Sequence, residues 1–163
     1  MNAVRFVTLL LAALGLAPGA AHMLELPIKL NYSPELYTQV TSTLYALFGA
    51  VGGSVQVAAL IAASLLCYLS RKRPESIHLL LGAVCFAVSL LLWAAVVQPV
   101  NTEWADVLHS TPEAITRRYA DLRNRWEYGH VAAFLAWLTG YCSLQWAMCA
   151  FKGQATDRHL ARS

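Results

Sequence analysis

The sequence NRWEYGH (residues 124–130) leads directly into the apolar sequence VAAFLAWLTGYCSLQWAMCAF (residues 131–151). A bilayer core about 30 Å thick requires roughly 20 apolar residues of helix. The apolar sequence therefore predicts a membrane span over about residues 129–151. The charged residues before it are typical either of an interfacial anchor or of a reactive site, because ionisable groups at membrane depth are costly and are usually functional.

The composition of the chain indicates that lipid is its solvent. Of its 163 residues, 58% are apolar and 13% are charged, whereas soluble domains are about 45–50% apolar and about 25% charged. The length suits a single domain, residues 1–163. The net charge of +3 comes without a long basic run or a basic stripe interleaved with aromatic residues, which excludes a nucleic-acid partner. The four cysteines form no CxxC pair, which argues against zinc and disulfide frameworks.

Three further apolar segments predict three further spans, so the predicted fold class is all-α, an integral membrane four-helix antiparallel bundle. Ser33, Pro34 and Glu35 predict the start of the second helix, because they suit the cap, the first position and the positive end of a helix. This helix is expected to continue to about Tyr68, and Pro99 is expected to end the third span. The predicted spans are residues 3–24, 44–69, 76–98 and 129–151.

A polar segment between spans three and four is expected to form an outer loop or helix. Its sequence TPE (residues 111–113) repeats the capping signal, which predicts a helix that begins near Pro112 and runs unbroken into span four. Lysines and arginines near the span ends number seven on one side and five on the other. This bias, with the cluster at residues 71–73, favours cytoplasmic termini and a multi-pass location in a bacterial inner membrane.

The first 21 residues also fit a cleavable signal peptide, with a charged start, an apolar middle and small residues before His22. Cleavage after Ala21 would leave three spans and a new N-terminal histidine. The apolar run continues past this position to Leu24, which favours a retained first span.

Two histidine–glutamate pairs lie at the outer ends of spans one and four. His22 and Glu25 are three residues apart, and so are Glu127 and His130, so each pair shares one face of its helix. The two helices are predicted to run in opposite directions, which places both histidines deeper than both glutamates. If the two faces meet, two imidazoles and two carboxylates converge.

This convergence predicts a transition-metal site in one interpretation. Glu-x-x-His is the spacing of carboxylate-bridged metal sites in helix bundles, and mixed imidazole and carboxylate ligands suit iron, manganese, zinc or copper. Spans two and three offer Gln56 and Gln98 but no internal carboxylate, so the expectation is a single metal bound by the four residues, or none. In the other interpretation the histidines are satisfied at the interface, and the glutamates are rim charges paired with Arg123 or Arg125.

Three glycines in span two, Gly49, Gly52 and Gly53, have two interpretations. Small residues allow helices to approach closely, and the same gap would admit a flat hydrophobic ligand. Both remain open from the sequence.

Three sequences occur together in one order: AHMLELPIKLNYSPELY (residues 21–37), QPVN (residues 98–101) and LRNRWEYGH (residues 122–130). The combination resembles the small four-helix bacterial membrane proteins grouped with anthrone oxygenase, most of which have no assigned function. The named members of this family oxidise a polycyclic anthrone to an anthraquinone with molecular oxygen and without a conventional organic cofactor. The residues that match the family are His22, Glu25, Asn101, Arg123, Trp126 and His130.

The resemblance implies catalytic roles for three of these residues. His130 would act as a base on a phenolic or benzylic position, and the resulting carbanion would react with oxygen. Arg123 or Asn101 would stabilise the developing oxyanion. The extended HMLELP sequence departs from the family's characterised enzymes, so their substrate is not carried over.

Two functions therefore follow as hypotheses. The first is an oxygenase or oxidoreductase that binds a flat, hydrophobic, phenol-like or quinone-like molecule. The second is a non-enzymatic accessory or scaffold subunit, in which arginines between residues 117 and 125 contact an acidic membrane-protein partner or lipid headgroups. The expected partners are the bilayer, a hydrophobic small molecule and either a membrane protein or further copies of the chain. The first hypothesis depends on whether His22 and His130 face each other.

Overall fold

A computed structural model describes residues 1–45, 47–108 and 111–160 of the chain, and within them the fold is all-helical, with no strand. Six α-helices and two short π-helical segments, π1 and π2, follow one another in this part of the chain. Their bounds are α1 Asn2–Lys29, α2 Pro34–Leu44, π1 Phe48–Gly52, α3 Gly53–Leu69, α4 Ser76–Leu92, π2 Trp93–Val97, α5 Gln98–Leu108 and α6 Pro112–Leu160.

Three helices among the described residues are long and apolar enough to cross a membrane: Asn2–Lys29, Phe48–Leu69 and Ser76–Trp104. Large apolar side chains lie exposed on their surfaces, including Leu24, Ile61 and Leu91. Such a surface is stable against lipid chains, which confirms the predicted membrane character. The fourth predicted span lies within α6, where Thr139, Ser143 and other polar residues interrupt the apolar run.

The helices pack as a ring in which α1 and α4 each contact both α3 and α6. We call the end of the bundle that carries α2, α5 and residues 112–128 of α6 the polar end. Below it, the Trp137 indole stacks on the Phe86 ring, with centroids 4.0 Å apart, and donates from Nε1 to the Ala12 carbonyl at 2.9 Å. This core joins α1, α4 and α6.

Gly140 lies at a close approach of α6 to α4. A Cβ atom at this position would lie 2.8 Å from the Phe86 ring and 2.9 Å from the Gly82 carbonyl oxygen. We expect Gly140→Ala to lower the free energy of unfolding by about 1–3 kcal/mol, because the backbone of α4 has to move. Unfolding in mild detergent with increasing SDS measures the effect. Gly53→Ala is the control, since its Cβ would meet no atom within 4 Å, and equal stability of the two variants would contradict the expectation.

The second helix begins as predicted but is interrupted. The Ser33 Oγ accepts from the Leu36 N–H, and Pro34 occupies the first position. The expected continuous helix to Tyr68 is wrong, because α2 ends at Leu44 and the chain resumes as π1. The Thr43 hydroxyl donates to the Gln39 carbonyl at 2.6 Å, and such local bonds compete with the helical ladder.

The prediction that Pro99 ends the third helix is also wrong. Helical structure continues through α5 to Leu108, and π2 lies immediately before Pro99. Proline lacks an N–H and crowds the carbonyl of the preceding turn, and a wide π-helical turn at that position relieves both problems. The polar segment is thus helical where it is described, and the predicted helix from Pro112 into span four is confirmed as α6.

Candidate functional site

The two histidines face each other at the polar end of the bundle. The ring centroids of His22 and His130 lie 4.1 Å apart, with the rings inclined by 37°. Trp126 contacts both rings, at 4.9 Å from His22 and 4.2 Å from His130, and Tyr45 packs on His22 at 4.6 Å. The structure therefore brings α1 and α6 together at the depth of the two histidines, as the sequence predicts.

Hydrogen bonds assign a different tautomer to each histidine. The Nδ1–H of His130 donates to the Trp126 carbonyl at 2.8 Å, so in the neutral ring Nε2 carries the lone pair. The Nδ1 of His22 lies 3.4 Å from the Lys29 ammonium, which can only donate, so the proton of His22 is on Nε2. The pair therefore offers one acceptor, on His130, and one donor, on His22.

Lys29 is the centre of a buried charged network at this site. Its side chain is 2% exposed, and its Nζ lies 3.1 Å from the Glu127 carboxylate and 3.7 Å from that of Glu25. The ammonium also lies over the rings of Tyr45 and Trp126, at 4.9 and 5.0 Å. In the sequence analysis Lys29 counts only as one of the five basic residues on one side of the predicted spans. The signal for a role at the site is its spacing, because Lys29 follows His22 by seven residues and shares its helix face.

Two tyrosines, Tyr37 in α2 and Tyr45 immediately after it, complete this network. The Tyr37 hydroxyl donates to the Glu127 carboxylate at 3.0 Å, and the Tyr45 hydroxyl donates to the Glu25 carboxylate. The second oxygen of Glu127 is buried and has no hydrogen-bond partner among the residues that the structure describes. Burial raises the pKa of Glu127 above its ordinary value, and Lys29 opposes that rise. Burial, and then the nearby Glu127, also raise the pKa of Tyr37.

The arrangement does not fit the predicted metal site of His22, Glu25, Glu127 and His130. Within the described part of the chain, no group of three or more histidine, cysteine, aspartate or glutamate side chains is placed to hold a metal ion. The Lys29 ammonium lies against both carboxylates and supplies the positive charge that a metal would supply. The alternative pairing is corrected as well, since Glu127 binds Lys29, whereas Arg125 binds Glu103 at 3.1 Å.

Asn101 and Arg123 have different surroundings. The Asn101 Oδ1 accepts from the Trp126 indole at 2.8 Å, and its side chain lines the cavity described below. Arg123 donates to the Leu30 carbonyl at 3.1 Å and lies over the Tyr119 ring. Since Arg123 is not part of the cavity lining, its contacts tie α6 to the connection between α1 and α2 and do not suit the predicted stabilisation of an oxyanion.

A cavity of about 650 Å³ lies between the helices, with both histidines in its wall. Cavities of about 300–1,000 Å³ are typical of small-molecule sites. Gly52 approaches the Pro18 ring closely, as the interpretation of close helix approach predicts, whereas Gly49 and Gly53 border open space. Admission of a flat ligand through this space stays a prediction. The aromatic residues of the lining include Tyr45, Phe48, Trp93, Trp104, Trp126 and Trp137.

Comparison of the chain with protein-family models, curated proteins and solved structures gives no match. The resemblance to the anthrone-oxygenase-like family therefore stays a prediction, carried by the three sequences that suggested it.

Proposed function

We propose that the chain is a four-span membrane protein that binds a flat phenol-like or quinone-like molecule against His22 and His130. The observation that carries this proposal is the complementary histidine pair in the wall of a cavity that several aromatic side chains also line. A phenolic hydroxyl would donate to Nε2 of His130, and its oxygen would accept from Nε2–H of His22. Aromatic walls favour a flat ring, because stacked and edge-on contacts add to the burial of apolar area.

The chemistry that best suits this pair is oxidation of the bound molecule by molecular oxygen, as the family resemblance implies. Nε2 of His130 would take the proton from a phenolic or benzylic position, leaving an electron-rich carbanion that transfers electrons to oxygen. The His22 Nε2–H and the Asn101 amide would stabilise the oxyanion. For an anthrone, the balanced reaction converts one anthrone and one dioxygen into one anthraquinone and one water.

An isotope experiment tests this activity. We expect the purified protein in lipid nanodiscs to convert anthrone to anthraquinone faster than empty nanodiscs do, and to place an atom from ¹⁸O₂ in the product. Mass spectrometry of the anthraquinone measures the incorporated label. A rate equal to that of empty nanodiscs would refute the oxygenase activity, and binding of 1-naphthol without turnover would restrict the function to ligand binding.

The scaffold hypothesis receives less support from the polar end. Arg118 and Arg125 both bind Glu103, at 2.6 and 3.1 Å, so two of the arginines expected to contact a partner are engaged within the chain.

We also propose that α6 supplies the fourth span and that both termini lie in the cytoplasm, as the basic cluster at residues 71–73 favours. A C-terminal reporter that is active only outside the cytoplasm tests this orientation, since activity there would contradict it.

A further inference from the structure

The lining of the cavity includes residues exposed on the side of the bundle as well as at the polar end, and we call the exposed part on the side the side opening. The exposed lining residues include Gln98 and Asn101 at the polar end, Gly49 in π1 and Val57 in α3. Val57 is 48% exposed. Because Gly49 and Val57 belong to the apolar helix Phe48–Leu69, which is long enough to cross a membrane, the opening reaches the depth of the lipid chains.

Both π-helical segments contribute residues to the wall of the cavity. π1 contributes Phe48 and Gly49 to the lining, and π2 contributes Trp93. A Cβ atom at Gly49 or at Gly53 would meet no atom within 4 Å, so no side chain among the described residues fills the space there. On the opposite side Gly52 packs against Pro18 of α1, which closes the cavity toward that helix.

Polarity changes between the histidines and the side opening. The histidine wall carries a donor and an acceptor, whereas Val57 and Leu90 are apolar. The polar lining residues next to them, Gln56 and Ser89, donate to the Gly15 and Ala133 carbonyls. A polar aromatic group would therefore gain hydrogen bonds at the histidines, and an apolar chain would leave the cavity without exposure to water. The cavity and its side opening therefore suit a molecule that has both a polar aromatic group and an apolar chain.

We infer that the ligand is a membrane-dissolved aromatic molecule that carries an apolar chain, with its aromatic head against His22 and His130 and its chain passing between π1 and π2 into the bilayer. This inference rests on the proposed function, because it takes the histidine pair as the site of the head. It adds the class of ligand and its route, which is lateral entry from lipid.

A matched pair of probes and a matched pair of variants test the inference. The probes are 1-naphthol and 4-decyl-1-naphthol, and the variants are Gly49→Trp, in the opening, and Ala50→Trp, which is exposed but outside the cavity lining. Binding is measured by equilibrium dialysis against protein in nanodiscs, with uptake by empty nanodiscs subtracted. For each probe, the affinity for the variant is divided by the affinity for wild type. The different partition of the two probes into lipid cancels in this ratio.

We expect Gly49→Trp to weaken binding of the decyl probe about ten-fold or more, equivalent to about 1.4 kcal/mol, because the indole fills the route of the chain. Binding of 1-naphthol should stay within about two-fold of wild type, and Ala50→Trp should change neither affinity. Retained binding of 1-naphthol shows that Gly49→Trp is folded. If Gly49→Trp no longer binds 1-naphthol, Gly53→Trp is measured in its place.

The other outcomes separate the inference from the proposed function. If Gly49→Trp and Gly53→Trp leave the decyl probe as tightly bound as wild type, or weaken both probes equally, the lateral route is refuted. The histidine site then stands as long as wild type binds 1-naphthol. If wild type binds neither probe, the proposed function fails, and the inference fails with it.

Discussion

Replacing Lys29 by methionine is expected to lower the free energy of unfolding by about 3–5 kcal/mol, because removing one partner of a buried ion pair leaves the other charge without compensation. The Glu127 side chain is 1% exposed and lies 3.1 Å from the Lys29 ammonium. Its remaining partner would be the Tyr37 hydroxyl. Methionine has a volume close to that of lysine, so the change tests charge rather than packing.

SDS-induced unfolding of the purified protein measures this loss. The double variant Lys29→Met/Glu127→Gln should recover a large part of it, since the amide carries no charge. Glu103→Gln is the control for an exposed ion pair, because the Glu103 side chain is 29% exposed and such pairs contribute about 0–1 kcal/mol. If Lys29→Met is as stable as Glu103→Gln, the assignment of Lys29 as the centre of the network is wrong.

The same variant has an expected pH dependence. Because burial raises the pKa of Glu127 in the folded protein, the folded state binds a proton more tightly than the unfolded state. The stability that Glu127 contributes is therefore present at low pH, and it is lost as the pH rises above 4.5, the ordinary pKa of glutamate. Removal of Lys29 removes the charge that opposes the shift, so the loss of stability with rising pH should be steeper in Lys29→Met than in wild type.

Replacing His130 by glutamine is expected to slow anthrone oxidation by about 10²–10⁴-fold, the usual contribution of a general base. Glutamine keeps a side chain that can form hydrogen bonds but has no basic nitrogen. Binding of 1-naphthol should weaken far less than the rate, because the aromatic walls and the His22 donor remain. The comparison of oxidation rate with binding affinity therefore separates loss of the base from loss of the site.

His78→Gln is the control for this experiment, since His78 lies near the start of α4 and outside the cavity lining. It should keep the wild-type rate, measured as anthraquinone formed in nanodiscs. Where wild type oxidises anthrone faster than empty nanodiscs do, an unchanged rate in His130→Gln would show that His130 is not the base.

Local sequence patterns were sufficient for much of this fold. Apolar run length predicted where the long apolar helices Asn2–Lys29, Phe48–Leu69 and Ser76–Trp104 lie, because the capacity of a helix to cross lipid depends on composition over about 20 residues. The spacing in His22-x-x-Glu25 and Glu127-x-x-His130, with the antiparallel order of α1 and α6, predicted that the histidines would share one depth. Their ring centroids lie 4.1 Å apart.

Other features depended on how the helices rotate and how far apart they lie. The pairing of Glu127 with Lys29 and Tyr37, and not with an arginine, joins residues up to 98 positions apart (29 to 127). The passage of the third helix through Pro99 depends on the π-helical turn before it, and the cavity depends on the gap that Gly49 and Gly53 border. Hydropathy and helical spacing describe each helix alone, whereas partner choice, burial of Lys29 and cavity shape arise only when helix faces meet.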